Sequence, residues 1–143
     1  MTTYLLDANV LLAFHDTWHV YHQLVRRWFT AEGQKSWATC PLTENAFVRI
    51  ASHPSYPNEP GDVQALLSGL RRLCSAPGHS FWADGITITA ILDPQILITH
   101  AHVTDVYLLA LAAEHGGKLA TLDGRIPVHA VQGGSEAIEV LTR

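Results

Sequence analysis

Apolar and polar residues run along the chain in blocks whose period switches between two and about 3.6, as strands followed by helices do. Tyr4-Leu5-Leu6 is an apolar run that stops at Asp7, and Val10-Leu11-Leu12-Ala13-Phe14 continues it into a helix. Thr17 is placed to cap a second helix whose apolar stripe is Val20, Tyr21, Leu24, Val25, Trp28 and Phe29, ended by Gly33. Lys35 to Cys40 reads as a strand. Pro41 suits the first turn of a third helix carrying Thr43, Glu44, Phe47, Val48 and Ile50. The prolines between His53 and Gly61 predict a loop. Val63, Leu66, Leu67, Leu70 and Leu73 then form an amphipathic stripe that ends near Pro77-Gly78.

Beyond Ser80 the pattern predicts short strands at Phe81-Trp82 and Thr87-Ile88-Thr89, with a turn at Asp84-Gly85. From Thr104 to His115 the residues are hydrophobic all round, which predicts a helix buried against a sheet. Gly116-Gly117 ends it. Lys118 to Leu122 is the next strand, stopping at Asp123-Gly124, and Ile138 to Leu141 is the last. Strands separated by helices predict one α/β domain over residues 1–143, with a mostly parallel sheet and functional groups at the strands' C-terminal ends.

Composition changes this picture little. Of 143 residues, 48% are hydrophobic, enough for a packed core. Two cysteines form neither a disulfide framework nor a CxxC ligand pair, which places the chain in a reducing cytoplasm. The N-terminus lacks the basic region of a signal peptide, and no apolar run reaches the ~20 residues of a membrane span. The net charge of −4 argues at first against nucleic acid. Setting aside Asp7, Glu44, Asp105 and Asp123, however, leaves nine acids against nine Lys plus Arg. The excess negative charge then belongs to those four positions, where cations would cancel it.

Asp7 follows the first strand and Asp123 a late one. Asp105 lies in the first turn of the buried helix, and Glu44 in the first turns of the helix after Pro41. A parallel sheet brings such element ends to one edge. Each has an ordinary reading alone: Asp7 a cap, Glu44 a partner of the helix dipole, Thr104-Asp105 a cap, Asp123-Gly124 a turn. Together they repel, and bound cations or raised pKa values relieve that repulsion. Hard oxygen ligands with open positions suit Mg²⁺ or Mn²⁺ rather than zinc.

Four segments carry a family resemblance: Leu5-Leu6-Asp7-Ala8-Asn9-Val10, Cys40-Pro41-Leu42-Thr43-Glu44-Asn45, His102-Val103-Thr104-Asp105-Val106-Tyr107 and Leu119-Ala120-Thr121-Leu122-Asp123. In this order, over essentially the whole chain, they resemble the PIN-domain ribonucleases, and most of all the VapC toxins of bacterial toxin–antitoxin pairs. The resemblance implies a three-layer α/β/α fold around a mostly parallel sheet of four or five strands. It implies Mg²⁺- or Mn²⁺-dependent hydrolysis of RNA, a toxin that inhibits translation and growth, a VapB-type antitoxin, and a homodimer. Asp7, Glu44, Asp105 and Asp123 match the acidic quartet, and Asn9, Thr104 and Thr121 its supporting positions. Asp7 and Asp105 are the expected direct ligands. Glu44 would ligate or orient water, and Asp123 would complete a second metal position. Arg49 and His102 are candidate RNA contacts.

Other readings carry less. His19 with His22, and His100 with His102, lack the further ligands of a structural zinc site. Arg26-Arg27 and Arg71-Arg72 read as solvated helix faces. Trp28 belongs to a core stripe, while Trp18, Trp37 and Trp82 are open to base stacking. A haloacid-dehalogenase-like phosphatase would need an acid where Asn9 stands. A catalytically inactive RNA-binding PIN domain is the remaining alternative.

Overall fold

The computed structural model describes residues 1–142. Its five strands are β1 (Tyr4–Leu6), β2 (Trp37–Thr39), β3 (His79–Phe81), β4 (Lys118–Thr121) and β5 (Ile138–Val140). They form one sheet in the order β3-β2-β1-β4-β5, with every pairing parallel. The strand made first therefore sits in the middle, with β2 on one side and β4 on the other.

Six helices connect the strands: α1 (Ala8–His15), α2 (His22–Ala31), α3 (Pro41–Ala51), α4 (Val63–Cys74), α5 (Ile88–Ile91) and α6 (Val103–Glu114). Asp7 caps α1, accepting from the Ala8 amide at 2.7 Å. Pro41 opens α3, whose first turn is closed by the Cys40 amide donating to Thr43 Oγ1 at 3.1 Å. Asp62 caps α4 through the Ala65 amide. Gly116, at φ 68°, ends α6 in the left-handed region that glycine enters freely.

Alternation along the strands splits the core into two layers. Tyr4, Leu6, Trp37 and Ala120 pack with α1, α2, α3 and α4 on one face. Leu5, Ala38, Cys40 and Leu119 pack with α6 on the other. Helix α6 is buried from Val106 to Ala112, because the 126–138 segment covers the side turned away from the sheet. The three-layer α/β/α expectation holds, with five strands.

Three expected elements move: the strand expected at Phe81-Trp82 is β3, His79–Phe81. Helix α2 begins at His22 with no side-chain cap, so Thr17 does not start it, and Val20 and Tyr21 are exposed. The intervening residues turn about Asp16, whose carboxylate accepts from the Trp18 amide, the Tyr56 hydroxyl and Asn58 Nδ2. Residues 88–91 form one helical turn, not a strand. Among the tryptophans, Trp37 is wholly buried, Trp82 is buried and stacked on His115, and Trp18 is exposed. No helix among the described residues is long and apolar enough to cross a membrane.

Candidate metal centre

Three acids from distant parts of the chain meet where β1 and β4 end. Asp7 continues the ladder of β1, its amide donating to the Ala120 carbonyl at 3.1 Å. Thr121 follows Leu119 in side-chain parity and so points to the α6 side of the sheet. Its hydroxyl donates to Asp7 Oδ2 at 3.0 Å and accepts from the Asp123 amide at 3.1 Å. One buried hydroxyl thus holds a carboxylate and the start of the next acid's turn in register. Asp105 reaches the same place from the first turn of α6. Donor atoms of His102, Asp105 and Asp123 all lie within 4.8 Å of one another.

The electrostatics follow from this crowding. Burial pushes the Asp7 carboxyl up from 3.8 to about 6, and the charges of Asp105 and Asp123 add to the rise, against hydrogen bonds from Thr121 and Ala8. Asp105 is raised by burial and by Asp123, with His102 acting the other way. Asp123 is held below the ordinary carboxylate value by the Arg125 amide, which donates to Oδ1 at 2.8 Å. An acid pocket that resists ionisation when empty favours the arrival of positive charge. Carboxylate oxygens at a half-buried edge are the donor set of a hard divalent cation, and Asp7, Asp105 and Asp123 fit one.

Glu44 makes a different contact. It shares the stripe of Phe47, Val48 and Ala51 on α3, which turns it toward the opposite face of the sheet. There Thr39 Oγ1, fully buried, donates to its Oε2 at 2.6 Å. The groups on which Glu44 acts electrostatically include His79 and Cys74. Asp7, Asp105 and Asp123 thus act on one another, while the hydrogen bond and electrostatic contacts of Glu44 run to Thr39, His79 and Cys74. The missed members of that group, Thr39, Cys74 and His79, carry no motif. Strand parity signals Thr39 alone, since Thr39 and Trp37 share a face.

Of the supporting residues, Thr121 makes the hydrogen bond just described. Asn9 and Thr104 are exposed in the first turns of α1 and α6. Thr104 is not a cap, because α6 starts one residue earlier, at Val103. Arg49 is exposed on α3 and lines an open cleft of about 630 Å³ with Glu44, against α4. His102 stands in the acid pocket itself.

Comparison with known proteins agrees with this geometry. The model of the PIN domain family matches residues 4–131. The chain is 40% identical to Ribonuclease VapC44 of Mycobacterium tuberculosis over 134 residues, covering 92% of this chain and 94% of that one. It is 38% identical to Ribonuclease VapC39 of the same organism over 141 residues, covering 97% and 99%. Among solved structures it resembles Mycobacterium tuberculosis VapC20, a sarcin–ricin loop cleaving toxin, with a TM-score of 0.62 and 7% identity over 90% of this chain and 96% of that one. It also resembles VapBC2 from Rickettsia felis bound to a DNA fragment from their promoter, with a TM-score of 0.60 and 12% identity over 99% and 100%. At such identities the two structures speak for the fold, and the sequence relatives speak for the family. The chain belongs to the PIN domain family and, within it, to the VapC ribonucleases.

Proposed function

We infer that this chain, acting over residues 1–143 as one PIN domain, is an endoribonuclease that hydrolyses RNA phosphodiester bonds as the toxin of a toxin–antitoxin pair. The observation that carries the reading is the convergence of Asp7, Asp105 and Asp123 at the C-terminal edge of the sheet, in a chain 40% identical to a VapC ribonuclease. Asp7, Asp105 and Asp123 would hold Mg²⁺ or Mn²⁺. When bound, such an ion lowers the pKa of a coordinated water and offsets charge on the leaving oxygen. Thr121 orients Asp7 through its hydroxyl, and α6 presents Asp105 from its positive end. His102 lies within reach of Asp105 and Asp123, where it contacts metal or RNA. Glu44 and Arg49 flank the neighbouring cleft, and Glu44 enters the acid pocket only if its side chain leaves Thr39.

A VapB-type antitoxin is the partner, supported by the likeness to a VapBC structure. The two free cysteines support a cytoplasmic setting. A homodimer belongs to the same reading, and its mass in solution tests it. The nuclease itself is tested by incubating the full chain with labelled RNA, with Mg²⁺, with Mn²⁺ or with chelator. Metal-dependent cleavage that falls at least a hundredfold in Asp7→Asn and Asp105→Asn supports it. RNA binding without cleavage under every condition would establish the inactive RNA-binding alternative instead.

A further inference from the structure

Among the described residues, one imidazole stands with the carboxylates of the acid pocket, that of His102. His102 ends the short turn His100–His102 and is the residue from which α6 starts, its amide donating to the Thr99 carbonyl at 3.0 Å. Asp105 follows three residues later, the spacing that sets two side chains on one side of a helical turn. Asp123 arrives from the end of β4, its amide held by the Thr121 hydroxyl. One ring nitrogen of His102 and one oxygen of each acid lie within 4.8 Å of one another, and all three residues are half-buried. Asp7 forms the buried side of the same pocket. The charge of His102 works against the rise at Asp105 and helps to hold Asp123 low. Among the described residues its ring makes no hydrogen bond, so a nitrogen lone pair is left for a ligand.

Aspartates alone distinguish Mg²⁺ from Mn²⁺ poorly, because both ions accept carboxylate oxygen. An imidazole nitrogen is a softer donor. Mg²⁺ keeps its water in preference to it, whereas a transition ion takes it into the coordination shell. A six-coordinate ion with bonds of about 2.1 Å sets neighbouring ligand atoms about 3 Å apart and opposite ones about 4 Å apart. Side-chain rotations that move the donor atoms by about 1 Å bring His102, Asp105 and Asp123 to that spacing. We propose that His102 is a nitrogen ligand of the cation held by the acid pocket, and that it tunes the site toward Mn²⁺ over Mg²⁺. The proposal rests on the metal-dependent ribonuclease reading and names the ion that its site prefers. His102 then serves the metal and not the RNA, and the helix start that carries it also carries Asp105. One short stretch, His102 to Asp105, therefore supplies one ligand of each kind.

The full chain, stripped of metal, is titrated with Mn²⁺ and the free ion is followed by electron paramagnetic resonance, with Mg²⁺ as competitor. Native protein is expected to bind Mn²⁺ at least tenfold more tightly than Mg²⁺. His102→Gln should weaken Mn²⁺ binding at least fivefold and change Mg²⁺ binding less than twofold. A spin-echo measurement on the Mn²⁺-loaded native chain needs no variant. It should show the ¹⁴N modulation of a directly bound imidazole, and His102→Gln should lose it. Bound Mn²⁺ without that modulation, or modulation that survives in His102→Gln, overturns the proposal and leaves the ribonuclease reading standing. Failure to bind either ion overturns both. RNA anisotropy in chelator supplies the last arm: a His102→Gln variant that loosens RNA there while its Mn²⁺ binding stays native assigns the residue to RNA and refutes the ligand.

Discussion

Asp7 is at once the cap of α1, the acceptor for Thr121 and the most strained acid of the pocket. Its ordinary value is 3.8 and its folded value about 6, so between those pH values the folded state holds a proton that the unfolded chain has lost. The stability contributed by that proton is complete below about pH 3.8 and is lost as pH rises to about 6. At 1.36 kcal/mol per pH unit, it amounts to about 3 kcal/mol in the metal-free protein. Asp7→Asn, which cannot ionise, should flatten this part of the curve and unfold later in urea than the native chain at pH 7. Equal urea midpoints at pH 4 and pH 7 in the native-minus-variant difference would contradict it. Thr121→Val removes the donor to Asp7 and the acceptor for the Asp123 amide together. It should weaken Mn²⁺ binding by about 10–100-fold, measured by calorimetry. Asp7 was legible as an acid after an apolar run, but its partner's hydroxyl was legible only through the family resemblance.

Among the elements, β1, β2, β4 and β5 were legible as short apolar runs, whereas β3, with the sequence His-Ser-Phe at the sheet edge, carries little apolar signal and was placed two residues late, at Phe81-Trp82. Helix α3 shows what periodicity makes visible. Glu44, Phe47, Val48 and Ala51 lie at i, i+3, i+4 and i+7, one stripe, so the carboxylate shares the side of α3 that packs on the core. Being at the same sheet edge as Asp7 did not settle which face Glu44 would take. The start of α2 was misread for a long-range reason. Asp16 gathers the Trp18 amide with Tyr56 and Asn58, some forty residues on, and local pattern does not reveal such a partner. Burial alone would raise Asp16, yet these donors hold it below the ordinary carboxylate value. Asp16→Ala should cost about 2–3 kcal/mol in urea unfolding and loosen the 53–61 loop, seen as faster proteolysis there. Gly117 joins α6 to β4 so tightly that a Cβ would stand 2.5 Å from the Thr3 carbonyl oxygen. Gly117→Ala should therefore destabilise the fold by about 1–3 kcal/mol, read as a lower urea midpoint.

Over the whole molecule, a cation in the acid pocket binds the folded state and not the unfolded one. At a hundred times its Kd, it should stabilise the chain by about 2.7 kcal/mol, seen as a rise in Tm. The rise should vanish in a double Asp7→Asn, Asp105→Asn variant. The sheet order has one more consequence. The central strand β1 emerges first from the ribosome, yet the neighbour that completes its acid pocket, β4 with Asp123, is made near the end. A nascent polypeptide halted before that stretch holds Asp7 without Asp123 and without the Thr121 hydroxyl that orients it. Only a chain translated through β4 can therefore gather all three of the pocket's carboxylates around a cation.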